Sequence, residues 1–129
     1  METIDPKTNL LLLTDAMRRL EDRKAHIVLS SEGIITSWSQ QAESLLRWTT
    51  EEAIGRLLAD VAIPPALRLA HTTGLLRWQA TAVTVVACKR LFTTALRKDG
   101  ALISVVVDVQ LVQDDLGVRF LGWVHAIGD

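Results

Sequence analysis

Five β-rich runs interrupted by one helix-rich stretch, with an amphipathic segment ahead of them, predict an α+β domain. Its expected core is a five-stranded antiparallel sheet, with short helices on one face and an N-terminal amphipathic helix on the other. Turn signals separate the runs: Ser31-Glu32-Gly33 in the first pair, then Arg97-Lys98-Asp99-Gly100 and Asp114-Asp115-Leu116-Gly117 among the last three. Gly-containing turns of this kind write hairpins. The alternation is the second observation. In "ALISVVVDVQLV", Ile103, Val105, Val107, Val109 and Leu111 point one way and form a wholly apolar face, while the opposite set is only half polar. In "VRFLGWVHAI" both alternating sets carry apolar residues, Phe120/Gly122/Val124 on one and Leu121/Trp123/Ile127 on the other, so the sheet needs cover on both sides.

The first 24 residues are read as a cap and dimerisation helix, and residues 25–129 as the core domain. Asp5 offers a cap and Pro6 fits the first helical position, where its missing N–H costs nothing. Leu10, Leu13, Met17 and Leu20 recur at three-and-four spacing, widened by Leu12 and Ala16, and Arg18, Arg19, Glu21 and Asp22 are mostly left for water. Such a stripe needs an apolar partner, on its own sheet or on the same helix of a second chain. "HIVLSSEGIITSW" follows as a hairpin. "SQQAESLLRWTTEEAIG" reads as two short helices, with Ser39 and Thr49 or Thr50 as caps and Gly55 as the stop. Pro64-Pro65 opens a longer helix through Trp78, on which Leu67, Ala70, His71, Gly74, Leu75 and Trp78 share one stripe. The runs "CKRLFTTAL", "ALISVVVDVQLV" and "VRFLGWVHAI" complete the sheet.

Composition narrows the function classes. A chain of 129 residues that is 49% hydrophobic is one domain's worth of core. Its 14 basic and 15 acidic residues leave a net charge of −1, and the basic pairs are scattered, which argues against nucleic acid. The longest aliphatic run, Leu10 to Leu13, is far short of the roughly 18 residues of a membrane span, and "METID" does not resemble a secretory signal, so a cytoplasmic location is expected. Cys88 stands alone, which precludes an internal disulfide or thiolate cluster; a small buried hydrophobe is its expected role. His26, His71 and His125 lack zinc spacing, and no nucleophile–base pair or Gly-rich phosphate loop is visible. Asp108 is the obvious carboxylate base for an enzymatic reading, but alternation turns it away from the Val105/Val107/Val109 face.

The element order, together with "GIITSWSQQAESLLRWTTEEAIGR", resembles the PAS domain family. Gly33, Ile35, Trp38, Ala42, Glu43, Leu45, Leu46, Glu51, Glu52, Ile54 and Gly55 stand where that family's recurrent residues stand, and "IPPALRLAHTTGLLRW" and "LRKDG" resemble the helix and hairpin that follow. The likeness spans about residues 25 to 127. Three departures stand out: Ser39 where the family often has Asn, Arg47 where it often has Gly, and "HAIGD" where it commonly closes with Asp-Ile-Thr. Ala126 and Gly128 cannot make the bonds that this Asp and Thr usually make toward an output helix.

The resemblance implies a non-enzymatic sensory and dimerisation module of a bacterial-type signalling protein, with a downstream signalling domain. It also implies an inner cavity lined by His71, Leu67 and Leu75 on the helix side and by Leu91, Val105, Val107, Val109, Phe120, Gly122 and Val124 on the sheet side. A small apolar ligand is the general expectation. Haem b is the leading specific one, because His71 matches the proximal-ligand position of the family's haem-binding oxygen sensors and an imidazole is a good axial donor. The positions of those sensors' distal arginine and distal methionine are here Leu91 and Lys89. The alternatives are a histidine without iron and a ligand-free interaction scaffold. Flavin is less favoured, since Cys88 lies after the central helices. A homodimer is expected through Leu10, Leu13, Met17, Leu20 and Trp123, the last placed on the outer face by alternation; neither nucleic acid nor membrane is an expected partner.

Overall fold

The β-rich runs form one sheet in which the first strand is inserted beside the last. Our computed structural model describes residues 24–81, 86–115 and 117–127. Strands β1 (Ala25–Ser30) and β2 (Ile35–Trp38) form the first hairpin; helices α1 (Gln40–Leu46), α2 (Thr50–Ala53) and α3 (Leu58–Val61) follow, then a 3-10 turn (Pro65–Leu67) and helix α4 (Arg68–Thr81). Strands β3 (Val86–Leu96), β4 (Leu102–Asp114) and β5 (Gly117–Ala126) close the chain, and the spatial order is β2-β1-β5-β4-β3. Every pairing is antiparallel. The α+β class with a five-stranded antiparallel sheet is therefore as the sequence predicts. The leading helix, with Leu10, Leu13, Met17 and Leu20, lies outside the described residues.

Register aligns the inward side chains into rows across the sheet. One row runs Ile27, Gly122, Val109, Lys89; its neighbours are Ala25, Val124, Val107, Leu91 and Leu29, Phe120, Leu111. β1 shows the cause in its sequence: Ala25, Ile27 and Leu29 are buried, and the residues between them are half-buried. The core forms where these rows meet the helices, with Ile35, Trp38, Ala42, Leu46, Ala53 and Val61 joining Val105, Leu111 and Phe120.

The short helices are held by caps, which matters because helices this short are marginal alone. The Ser39 hydroxyl accepts from the Ala42 N–H at 3.2 Å and from the His26 N–H at 2.8 Å, so one oxygen caps α1 and ties it to β1. Serine thus does capping work at the position where the resemblance expected Asn. Thr49 and Glu52 form a reciprocal capping box on α2. Glu52 also pairs with Lys98 in the β3–β4 turn, and that bond, with the Thr49 N–H, pushes its carboxyl down to about 2. Trp38 Nε1 donates to the Trp48 carbonyl at 2.9 Å and Thr50 Oγ1 to the Trp38 carbonyl at 2.9 Å, fixing the loop between α1 and α2. The one-turn helix α3 was not expected: Leu57 supplies no side-chain cap, and the Leu58 N–H is taken instead by the distant Gly33 carbonyl, at 3.0 Å.

Two expectations need correction. Cys88 is exposed, not a core residue; it sits on β3, an edge strand. Leu67 is 37% exposed, because Pro65–Leu67 makes a 3-10 turn before α4 begins and the helical stripe does not extend back through it.

Arg47 ends α1 with φ 70°, the one left-handed non-glycine among the described residues. This accounts for the glycine the resemblance expected there. The left-handed conformation costs a side-chain-bearing residue about 1–2 kcal/mol, part of which glycine would give back through its freer unfolded chain, about 0.4–1 kcal/mol. Arg47→Gly is expected to stabilise the domain by up to about 1 kcal/mol, read as a higher urea midpoint; a lower midpoint would contradict the cap assignment.

Candidate functional site

Between α4 and the inner face of the sheet lies a cavity of about 350 Å³. Small residues on facing walls create it. Gly122 on β5 interrupts the inward row between Ile27 and Val109, and a Cβ there would meet only the Ile27 carbonyl, at 3.7 Å. On the helix wall Ala70 and Gly74 leave their side of the gap open, and a Cβ on Gly74 would touch nothing within 4 Å. The sheet wall is Val105, Val107 and Val109 of β4 with Phe120 and Val124 of β5; the helix wall continues through His71, Leu75 and Trp78. Nine of the ten residues named from the sequence line this space, and Leu67 does not. The residues that sequence reasoning missed are Ile27 and Leu29 of β1, Leu46, Leu58, Ala62 and Ile63 at the far end, and Lys89, Thr93, Thr94 and Ala95 of β3. For β3 the missing signal was available: Lys89, Leu91 and Thr93 alternate toward the same side as Val109, Val107 and Val105, their register partners.

The rim is on the β3 side. Ala70, Gly74, Lys89, Leu91 and Thr93 all line the cavity and are all exposed. On the other side α4 is tied down: Gln79 Nε2 donates to the Ser31 carbonyl at 2.7 Å, Leu75 lies against Gly33, and the Trp78 ring packs at 5.8 Å from Phe120. The Lys89 ammonium stands 4.8 Å from the centre of the Trp78 ring, a cation–π contact that brackets one end of the opening.

The lining is apolar apart from His71, Lys89 and the two threonines, and it holds no carboxylate. Burial holds the His71 imidazole below its usual 6.5, so it is uncharged at neutral pH. Asp108 cannot act as a base here. It faces the opposite side of the sheet, where Arg90 Nε bonds its Oδ1 at 2.7 Å and Lys24 Nζ lies 3.6 Å from Oδ2, and the Arg90 bond holds its carboxyl below the usual range. Trp123 is on that outer face too, half-buried and stacked on His26 with centroids 5.2 Å apart. Among the described residues no group of His, Cys, Asp and Glu could hold a metal ion, and no helix is long and apolar enough to cross a membrane.

The cavity as it stands does not enclose a porphyrin: His71 lines it, as an axial ligand would, yet at roughly 30 Å³ per water-sized group the space takes on the order of a dozen heavy atoms, so haem b would have to extend through the β3 rim or displace α4. The exposed Cys88 is absent from the lining and so gives a flavin no thiol.

The His71 reading has a direct check. With the folded value below 6.5, the unfolded chain takes up the proton first, so this histidine lowers stability progressively as pH falls below 6.5. NMR titration is expected to give its imidazole a midpoint under 6.5, and His71→Leu to make the acid-side loss of stability shallower. A midpoint at or above 6.5 would put the ring in water.

Comparison with known proteins agrees with this geometry. Residues 23–127 match the family model described as the PAS fold. No curated protein sequence matches the chain. Among solved structures, the PAS domain of an HTR-like protein from Haloarcula marismortui superposes with a TM-score of 0.65 at 21% identity, covering 94% of this chain and 99% of that one. The PAS domain of the Cronobacter turicensis RpfR quorum-sensing receptor, in complex with BDSF, gives 0.64 at 11% identity over 82% and 95% of the two chains. A PAS domain from a two-component sensor histidine kinase gives 0.63 at 12% identity over 92% and 98%. With the sheet order, the capped short helices and the family match over most of its length in agreement, this chain belongs to the PAS domain family.

Proposed function

We propose that this PAS domain is a ligand-gated sensory module: it takes a small apolar or amphiphilic molecule between α4 and the sheet and passes the event on through altered helix packing. The observation that carries the reading is the ready-formed 350 Å³ apolar cavity with its rim between α4 and β3. The anchoring of α4 supports it, because the Gln79–Ser31 bond fixes the helix to the first hairpin while its Ala70–Gly74 stretch borders the opening, where a ligand entering past β3 bears on it. A ligand that fits one packing better than another shifts the population toward it. The RpfR domain with BDSF is a relative of the same fold that holds a small molecule. In this reading the domain works as a homodimer joined through Leu10, Leu13, Met17, Leu20 and Trp123, inside a cytoplasmic signalling protein whose output domain receives the change.

A neutral apolar dye tests the cavity without assuming the natural ligand. 1-Aminonaphthalene, with roughly a dozen heavy atoms, is expected to shift its emission to the blue on binding the wild type. Gly122→Leu, which fills the gap from a strand position where a Cβ meets no clash, should bind it at least tenfold more weakly while unfolding at a similar urea midpoint. Equal uptake by both proteins would move the dye elsewhere; uptake by neither would favour a ligand-free scaffold.

A further inference from the structure

The polar groups at the cavity are unevenly placed, and their placement selects a ligand. Among the described residues Lys89 is the sole cation in the lining, and no acidic residue accompanies it. Among the described residues, Lys24, Arg90, Arg97 and Lys98 each have a carboxylate within ion-pair distance, whereas no carboxylate lies at that distance from Lys89. Its ammonium rests on the face of Trp78 at 4.8 Å, at the rim and accessible. Lys89 is also the end of the inward row that continues through Val109 to Gly122 and Ile27. Strands are about 4.8 Å apart, so from Lys89 across Val109 to the gap at Gly122 is roughly 10 Å of apolar floor with the charge at its outer end.

We propose that the cavity's ligand is a monoanionic amphiphile, an unbranched aliphatic carboxylate, whose tail lies across the Val109–Gly122 row and whose head pairs with the Lys89 ammonium. This rests on reading the cavity as a ligand site. An anion is favoured because the described lining carries one positive charge and no negative one, so a cationic head would meet repulsion and a neutral head would gain no ion pair. A single charge is favoured because one lysine is a point charge with three donors; no arginine fork lines the cavity to hold a more highly charged phosphate. The volume sets the length, since on the order of a dozen heavy atoms can be enclosed.

Calorimetric titration with three probes of equal chain length tests this: decanoate, decan-1-ol and decyltrimethylammonium. The wild type is expected to bind decanoate about threefold to fivefold more tightly than decan-1-ol, the scale of a solvent-exposed ion pair, and decyltrimethylammonium most weakly. In Lys89→Met the decanoate advantage should vanish while decan-1-ol binding stays, and Lys89→Arg should restore it. Decan-1-ol bound as tightly as decanoate by the wild type, or decanoate binding unaltered in Lys89→Met, would overturn the head-group assignment and leave the cavity reading standing. Failure of the wild type to bind either decanoate or decan-1-ol would bring down both.

Discussion

Everything in this domain depends on keeping one face of β4 and β5 dry. Because strand side chains alternate, Val105, Val107, Val109 and Leu111 must all face the same way, and on β5 Phe120, Gly122 and Val124 join them through register. On one side of that face the debt is met by close packing: Trp38, Ala42 and Leu46 seal the β1 half, with Ser39 and the Thr49–Glu52 box fixing helices too short to persist unaided. Toward β3 it is met differently. There α4 presents Ala70 and Gly74 to a strand presenting Gly122, and these small residues cannot meet across the gap. The cavity is therefore a property of particular side-chain sizes set on an otherwise ordinary sheet.

Much of the architecture was legible in the sequence because it is written in local signals. Hairpin turns carry glycine at positions that need positive φ, as at Gly33 and Gly100, and alternation in "ALISVVVDVQLV" names the inner face without any knowledge of its partners. The helix caps are equally local. What escaped was whatever depended on neighbours distant in sequence. α3 has no side-chain cap, and the Leu58 N–H at its start donates to the Gly33 carbonyl at 3.0 Å, a partner in the turn of the first hairpin. Cys88 looks like a core residue until β3 is known to be the edge strand, since only sheet order reveals that. Leu67 fits a helical stripe on paper, but the turn after Pro64 is 3-10, which changes the angular spacing that the stripe assumes.

The site divides along the same line. Its floor was readable because strand parity alone places Val105, Val107, Val109, Phe120, Gly122 and Val124. The contribution of β3 was not, because which parity of an edge strand faces inward is fixed by pairing, here Lys89 with Val109 and Leu91 with Val107. That pairing decides the chemistry of the rim. It sets a lysine where the family resemblance pointed to a distal haem ligand, and it leaves the outer face to the Arg90–Asp108–Lys24 cluster. The two faces of the sheet thus differ electrostatically: outside, Asp108 is ion-paired between Arg90 and Lys24, and inside, a cation with no carboxylate in the described lining stands at the edge of an apolar hollow. Size bears on the rest, since His71 has the chemistry of an axial ligand but borders a space that, as it stands, does not enclose a porphyrin.

The central claim is that a real void separates α4 from the valine face, and xenon under pressure tests it most directly, because a dry apolar cavity takes up the gas. Methyl NMR spectra are predicted to show saturable xenon shifts at Val105, Val107, Val109 and Val124, with Val106 and Val112 on the opposite face unmoved. Shifts absent from the first group, or equal in both, would mean that the space is filled or that the sheet is turned the other way.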